Sequence, residues 1–119
     1  MGLSTLIGDF RLYLPSLTIG GTGCVDGPLG IAPQMWVEIK RAYEAGDIAR
    51  AVAAQKKATE TFDILLQVEY LAGMKAMVSD LIGMDCGDPR PPLAPLRPGQ
   101  REVIKKAVEQ LGLGKATKR

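Results

Sequence analysis

The stretch from Gly20 to Gly30, GGTGCVDGPLG, places five glycines in eleven residues and decides which fold the chain can adopt. A phosphate-binding loop, a flexible linker and the tight end of a buried strand all use such glycines. No Gly-Lys-Ser/Thr follows, and Asp26 stands where the third glycine of a GxGxxG dinucleotide motif is needed. Cys24, Val25 and Leu29 are apolar residues that a linker would not place in its middle. The pattern therefore favours a strand end, where glycines allow tight turns and close backbone contacts.

A second strand end precedes this one. The apolar run Leu3–Gly8 stops at Gly8-Asp9 and predicts a buried strand. Between the two runs Pro15 argues against a central strand, so a short helix that ends at Gly20 is predicted. Strand, helix and strand in this order predict parallel pairing. Two short strands do not make a stable sheet, so we expect this part to be the end of a larger α/β structure.

The chain from Pro33 onward has helical periodicity. Pro33 suits the first position of a helix that runs to Gly46, and Asp47 is a good N-cap for the next helix. The apolar stripe predicted for that helix comprises Ala51, Ala54, Ala58, Phe62 and Leu65.

A third predicted helix ends at Gly83 and carries Met74, Met77, Val78 and Leu81. The proline-rich segment 89–98 is expected to run extended and to pack on a surface. A last helix begins near Pro98, ends at Gly112, and has the apolar face Val103, Ile104, Ala107, Val108 and Leu111.

Composition excludes several classes of function. The 119 residues include no histidine, which removes Ser-His-Asp and Cys-His catalysis and HExxH zinc sites. Cys24 and Cys86 lack metal-ligand spacing, so a reduced, cytoplasmic protein without a metal is expected. The net charge of +2 is too small to predict nucleic-acid binding, and its surplus lies largely in the tail residues Lys115, Lys118 and Arg119. No apolar window is long enough for a membrane span.

The ends of the two predicted strands are the candidate ligand site. Ligands of parallel α/β folds bind at the carboxyl ends of strands. Arg11 lies just beyond the first end and could meet an anionic substrate group, although an ordinary surface arginine is an equally good interpretation. The alternative interpretation is that the glycines of the whole motif only end strands and allow turns.

The order of motifs resembles the C-terminal part of the dihydrodipicolinate synthase / N-acetylneuraminate lyase family. The matching elements are Gly8-Asp9, the glycine-rich turn from Gly20 to Gly27, Ala45-Gly46-Asp47 and Gln55, followed by Gly73-Met74-Lys75-Ala76 and Gly87-Asp88-Pro89-Arg90-Pro91-Pro92-Leu93. The resemblance implies an α/β chain that is mostly helical. Residues 1–46 would supply the last two strands of a (β/α)₈ TIM barrel, and residues 47–119 a C-terminal helical extension.

The family resemblance also implies a function. Its members join or cleave pyruvate and an aldehyde through a lysine Schiff base, without a metal or organic cofactor, usually as dimers or tetramers. Gly8 and Val25 would lie beside the pyruvate-derived part of the substrate. Asp9, Phe10, Arg11, Asp26 and Gly27 would lie where members differ in recognising the aldehyde or sugar tail.

The resemblance leaves no catalytic residue in this chain. The Schiff-base lysine and catalytic tyrosine of the family lie on strands that would precede Met1, and the lysines here, from Lys40 onward, lie on predicted helices. We therefore expect the chain to be inactive alone and to work only when an N-terminal barrel portion completes it. Homo-oligomers are also expected, and the alternative is a non-enzymatic helical oligomerisation module.

Overall fold

The computed structural model describes residues 2–112, with only the backbone described at Leu111. The predicted apolar role of the Leu111 side chain and the basic tail of Lys115, Lys118 and Arg119 lie outside the described residues. Contacts divide the chain into unit 1, Met1–Glu60, and unit 2, Thr61–Arg119. No helix within residues 2–112 combines the length and apolar character needed to cross a bilayer.

Unit 1 contains two short parallel strands and the helices that follow them. Strand β1 is Leu6–Ile7 and strand β2 is Gly23–Cys24. Leu6 pairs with Gly23 and Ile7 with Cys24, which confirms the predicted parallel pairing. The helices that begin in unit 1 are α1 (Tyr13–Thr18), α2 (Gly27–Ile31), α3 (Pro33–Glu44) and α4 (Ile48–Phe62), and a 3₁₀ turn, Phe10–Leu12, precedes α1.

The glycines of the opening motif have separate structural roles. Gly20 follows α1 with φ of 95°, a conformation that favours glycine. A Cβ on Gly21 would lie 2.7 Å from the Ser16 carbonyl oxygen, so the backbones approach too closely for any side chain. These two residues turn the chain from α1 into β2. The predicted short helix that stops at Gly20 is therefore confirmed.

The core of unit 1 lies on the helical side of the strands. Phe10, Trp36 and Ile39 are buried there. The Tyr43 hydroxyl donates to the Leu17 carbonyl at 3.1 Å and ties α3 to α1. Asp47 caps α4 by accepting from the Arg50 N–H at 3.0 Å, as the sequence predicts.

Unit 2 is helical in its described part. Its helices are α5 (Tyr70–Ile82) and α6 (Gln100–Leu111), preceded by a 3₁₀ segment, Asp63–Gln67. Gly73 of α5 allows the preceding segment to approach this helix closely: a Cβ there would lie 2.7 Å from Val68 Cγ2, whereas Ile104 Cδ1 of α6 would lie at an ordinary contact distance of 3.5 Å. Arg101 of α6 also forms a bidentate ion pair with Asp80 of α5, with N–O distances of 2.7 and 2.6 Å.

The structure corrects several expectations about burial. The strand segment at Leu3 and Leu6 is exposed rather than buried, because neither residue has a covering element on its outer side within the described chain. On α5 the fully buried side is formed by small residues and one methionine (Ala72, Gly73, Ala76 and Met77), while Met74, Val78 and Leu81 are half-buried. Val103 of α6 is exposed, whereas Ile104 and Val108 are buried as expected.

Two further segments differ from the sequence-based expectation. Residues 27–31 form α2, which the glycines and Pro28 did not suggest; Pro28 is tolerated because it occupies the first turn. The proline-rich segment 89–98 contains neither helix nor strand, but its packing is limited to the half-buried Pro89 and Leu96. The stripe of α4 is confirmed at Ala51, Ala58 and Phe62, with Ala54 half-buried.

Candidate functional site

The candidate site lies where β1 and β2 end side by side. The Val25 N–H donates to the Ile7 carbonyl at 2.9 Å, so the pairing continues one residue beyond β2. A Cβ on Gly8 would lie 3.9 Å from the Val25 carbonyl oxygen, which shows how closely the two strand ends approach. Because side chains alternate along strands, Gly8 and Val25 share the face of Leu6 and oppose the face of Cys24.

Asp9 and Arg11 form a local ion pair at the end of β1. The guanidinium donates to both Asp9 carboxylate oxygens, from Nε at 3.0 Å and from Nη2 at 2.7 Å. Asp9 also accepts from the Arg11 backbone N–H at 2.9 Å and thereby caps the 3₁₀ turn. The hydrogen bonds from the Arg11 side chain hold the pKa of Asp9 below its usual value. Arg11 therefore presents a guanidinium whose charge is balanced by Asp9.

Asp26 is the carboxylate at the end of β2. One oxygen accepts from the Phe10 N–H at 2.9 Å and the other from the Gly27 N–H at 2.7 Å. Gly27 begins α2, so this second bond also caps that helix. All six residues predicted for substrate binding (Gly8, Asp9, Arg11, Val25, Asp26 and Gly27) thus come from two adjoining segments of unit 1.

Gln55 is a site-supporting residue whose role the sequence did not reveal. It is 8% exposed, and its Nε2 donates to the Phe10 carbonyl at 3.1 Å while its Oε1 accepts from the Leu14 N–H at 2.9 Å. These bonds anchor the segment after β1 to α4. A polar residue between Ala51 and Ala58 on an otherwise apolar helix face was the available signal, because a buried amide must find partners.

A separate cavity of about 210 Å³ lies on the helical face of the strands. Its lining includes Tyr13, Cys24, Trp36 and Lys40. Burial, reinforced by the nearby Asp26 and Asp9 carboxylates, raises the pKa of the Cys24 thiol to about 11. Burial also raises the pKa of Tyr13. Cys24 is therefore a protonated thiol at neutral pH, as expected for a packing residue.

Within residues 2–112, neither of the lysine ion pairs that the structure shows involves a residue of the candidate site. Lys40 lines the cavity on the opposite face and lies 3.8 Å from Glu44. Lys56 extends from α4 and lies 3.8 Å from Glu60, with 73% of its side chain exposed. Among residues 2–112, no group of three or more His, Cys, Asp and Glu side chains is arranged to hold a metal ion. The described site can offer backbone carbonyls, a carboxylate and an ion pair to a ligand.

Comparison with known proteins gives consistent matches over this length. A relative named 4-hydroxy-tetrahydrodipicolinate synthase, from Methanopyrus kandleri, is 32% identical over 108 residues, which is 91% of this chain and 36% of the relative. An uncharacterised DapA-like lyase from Halobacterium salinarum is 35% identical over 111 residues, covering 93% of this chain and 36% of the relative. The chain thus spans just over a third of the length of these relatives.

Solved structures show that the fold is shared as well. The wild-type sialic acid aldolase of Ruminococcus gnavus superimposes with a TM-score of 0.83 at 22% identity, over 94% of this chain and 38% of the other. KD(P)GA from T. tenax gives a TM-score of 0.76 at 27% identity, over 90% of this chain and 38% of the other. The model of the dihydrodipicolinate synthetase family matches residues 2–111. The chain is a member of the dihydrodipicolinate synthetase family.

Proposed function

We propose that this chain forms the C-terminal part of a Schiff-base aldolase or lyase that acts on pyruvate and an aldehyde or a 2-keto acid sugar. The observation that carries the proposal is the convergence of Gly8, Asp9, Arg11, Val25, Asp26 and Gly27 at two parallel strand ends. Family membership supports the reaction class, since its curated relatives are named as a synthase and a lyase. In this proposal β1 and β2 are strands seven and eight of a TIM barrel, residues 47–119 are its helical extension, and the assembly works in the cytoplasm.

The proposed division of labour follows from the groups at the strand ends. The Gly8 backbone and the Val25 carbonyl lie beside the three-carbon keto acid. Asp9, Arg11, Asp26 and Gly27 line the region of the tail. A Schiff base requires an amine of lowered pKa beside an acid or base. Lys40 and Lys56 are exposed helical lysines next to glutamates, so the amine is expected from the portion of the enzyme that precedes β1.

The ion pair between Asp9 and Arg11 changes the charge that we expect on the substrate tail. A guanidinium that already holds a carboxylate has less attraction for a second anion, because the two charges largely cancel at a distance. Neutral hydroxyl groups can hydrogen-bond to charged groups of this kind without adding a competing charge. We therefore favour a neutral, hydroxylated tail over a carboxylated or phosphorylated one, which revises the sequence-based hypothesis for Arg11.

A chimera tests the proposal. In it, this chain replaces the matching segment of the Methanopyrus kandleri relative, so that the rest of the barrel comes from that protein. The chimera is expected to cleave or form a pyruvate-derived 2-keto acid, while the chain alone shows no turnover. A folded chimera, judged by its circular dichroism and melting, that neither binds pyruvate nor turns over any 2-keto acid would contradict the proposal.

The alternative function is a non-enzymatic helical oligomerisation module. Exposed apolar residues such as Ile48, Val52 and Ile82 on the helices favour it. Sedimentation of two variants measures self-association and thereby distinguishes the two functions. If the strand pair is an open barrel edge, Leu6→Lys lowers self-association and Val52→Lys does not; the helical module predicts the reverse. A chain that is monomeric without any substitution would count against both.

A further inference from the structure

Asp26 connects two segments that are distant in sequence. Its Oδ2 accepts from the Phe10 N–H, 16 residues away, and its Oδ1 accepts from the Gly27 N–H. Phe10 is the first residue of the turn that follows β1, and Gly27 is the first residue of the helix that follows β2. One carboxylate thus bridges the points at which the chain leaves two neighbouring strands.

The bridge lies next to the groups assigned to pyruvate. The ladder bond from the Val25 N–H to the Ile7 carbonyl lies one residue before Asp26. Gly8 and Val25 are therefore held between that ladder bond on one side and the Asp26 bridge on the other. We expect the carbonyl groups of Gly8 and Val25 to keep a fixed direction only while both the Val25–Ile7 bond and the Asp26 bridge are formed.

The partner of the bridge is itself held firmly. Phe10 is 2% exposed, and its carbonyl accepts from Gln55 Nε2 at 3.1 Å. The N–H of Phe10 is thus held by β2 and its C=O by α4. A movement of Asp26 would be transmitted to the peptide groups on either side of Phe10, including the one that follows Gly8-Asp9.

We propose that Asp26 is a positioning residue: its carboxylate joins the two strand ends and fixes the Gly8 and Val25 carbonyls. Each carboxylate oxygen accepts one hydrogen bond from a backbone N–H group. The bridge therefore needs an acceptor at both oxygens. The meaning of this role for catalysis rests on the proposed function; the bridge itself is a property of this chain and can be tested in it.

Asparagine is the discriminating substitution. Asp26→Asn preserves the shape of the side chain but leaves one oxygen, so the NH₂ group must face either the Phe10 N–H or the Gly27 N–H. Asp47→Asn is the matched control. The Asp47 Oδ1 accepts from the Arg50 N–H, a bond that the single oxygen of asparagine can retain at a helix N-cap.

The measurement is residue-resolved amide hydrogen exchange of the full chain. In Asp26→Asn, exchange at Phe10 or Gly27 and at Val25 is expected to accelerate by roughly tenfold to a hundredfold, the range for losing a hydrogen bond to a charged group. Exchange in α3 and in the middle of α4 should stay within about twofold of the parent. Asp47→Asn should leave Phe10, Val25 and Gly27 unchanged.

Two results would overturn the proposal. Unchanged exchange at Phe10, Val25 and Gly27 would mean that the bridge does not hold the strand ends. A uniform acceleration throughout unit 1 would mean that Asp26 serves global stability and positions nothing in particular. Turnover of the chimera decides the proposed function separately, so an inactive chimera with locally accelerated exchange refutes the enzyme assignment and leaves the positioning role intact.

Discussion

Leu6 in β1 and Ile104 in α6 are both branched aliphatic residues on regular elements, yet 56% of Leu6 is exposed and 0% of Ile104. The contrast extends to their surroundings. Val25 beside β2 is 64% exposed and Leu3 before β1 is 84% exposed, whereas Leu65 and Met77 of unit 2 are fully buried. Apolar residues of unit 2 are fully buried and pack around Gly73, while the strand pair of unit 1 leaves one face exposed.

The difference shows that the two regions obtain their order in different ways. The helices of unit 2 are held by apolar packing around small residues, such as Gly73 against Val68. The strand ends of unit 1 are held by directional bonds from Asp9, Asp26 and Gln55 to backbone groups. Hydrogen bonds fix the backbone direction of the strand ends without covering the open face, as the proposed pocket wall requires.

The largest expected effect is at the closed core. Ile104→Ala is expected to lower the free energy of unfolding by about 2–5 kcal/mol, because it removes buried methyl groups and leaves a cavity. Val103→Ala on the same helix is the control; at 41% exposure it should cost less than about 1 kcal/mol. Urea unfolding of both variants measures the difference. Equal losses would contradict the closed core of unit 2.

Gln55 should have the next largest effect, and it tests the directional bonds. Gln55→Leu is expected to cost about 2–4 kcal/mol, because the Leu14 N–H and the Phe10 carbonyl lose their partner in a buried setting. Lys56→Ala next to it should change little, since an exposed ion pair contributes about 0–1 kcal/mol. Thermal melting compares the two. A Gln55→Leu variant as stable as the parent would show that packing alone holds the segment after β1.

Gly73→Ala gives a smaller effect. The added methyl group would contact Val68 and Leu65, and overpacking of this kind costs about 1–3 kcal/mol, partly offset by a helix-propensity gain of about 1 kcal/mol. The control, Gly30→Ala in α2, has no atom within 4 Å of the new methyl group and should be neutral or slightly stabilising. Denaturant midpoints distinguish them, and a stabilised Gly73→Ala variant would argue against close packing of α5 on Leu65 and Val68.

Asp9 gives the smallest expected effect and a pH dependence. Its pKa is lowered in the folded state, so its contribution is present above the unfolded pKa and is lost as pH falls through the folded value. Since the side chains of Arg11 and Asp9 are 43% and 29% exposed, the contribution is expected to be below about 1 kcal/mol. Asp9→Asn should therefore be slightly less stable than the parent at pH 7, and the difference in stability should narrow as the pH falls below the unfolded pKa and Asp9 becomes protonated. A constant gap across this range would contradict the ionic origin.

Much of the helical architecture follows from local signals. Pro33, Asp47 and Gly83 mark helix ends because their chemistry acts within one turn of the backbone. Parallel pairing of the two strands also follows from the strand, helix and strand order. Helix α2 was not predicted because glycine and proline are poor helix formers. Asp26, which caps this helix, was the signal that could have indicated it.

The residues that organise the site depend on contacts that local patterns do not encode. The sequence predicts that Asp9 and Asp26 lie at strand ends. It does not predict the bond from Phe10 to Asp26 across 16 residues or the bond from Gln55 to Phe10 across 45. The burial predicted for Leu3 and Leu6 was wrong for a related reason. An apolar run indicates that a strand tends to be buried, but it does not show which elements cover it; in the proposed barrel, neighbouring strands would do so.

Reductive trapping with borohydride in the presence of pyruvate tests the central claim most directly, because it reports the Schiff-base amine itself. The isolated chain is expected to acquire no covalent pyruvate adduct, whereas the chimera is expected to acquire one on a lysine of the Methanopyrus kandleri portion. Peptide mapping by mass spectrometry locates the adduct. A pyruvate adduct on Lys40, Lys56 or any other lysine of this chain would contradict the claim that it supplies the wall of the pocket and not the amine.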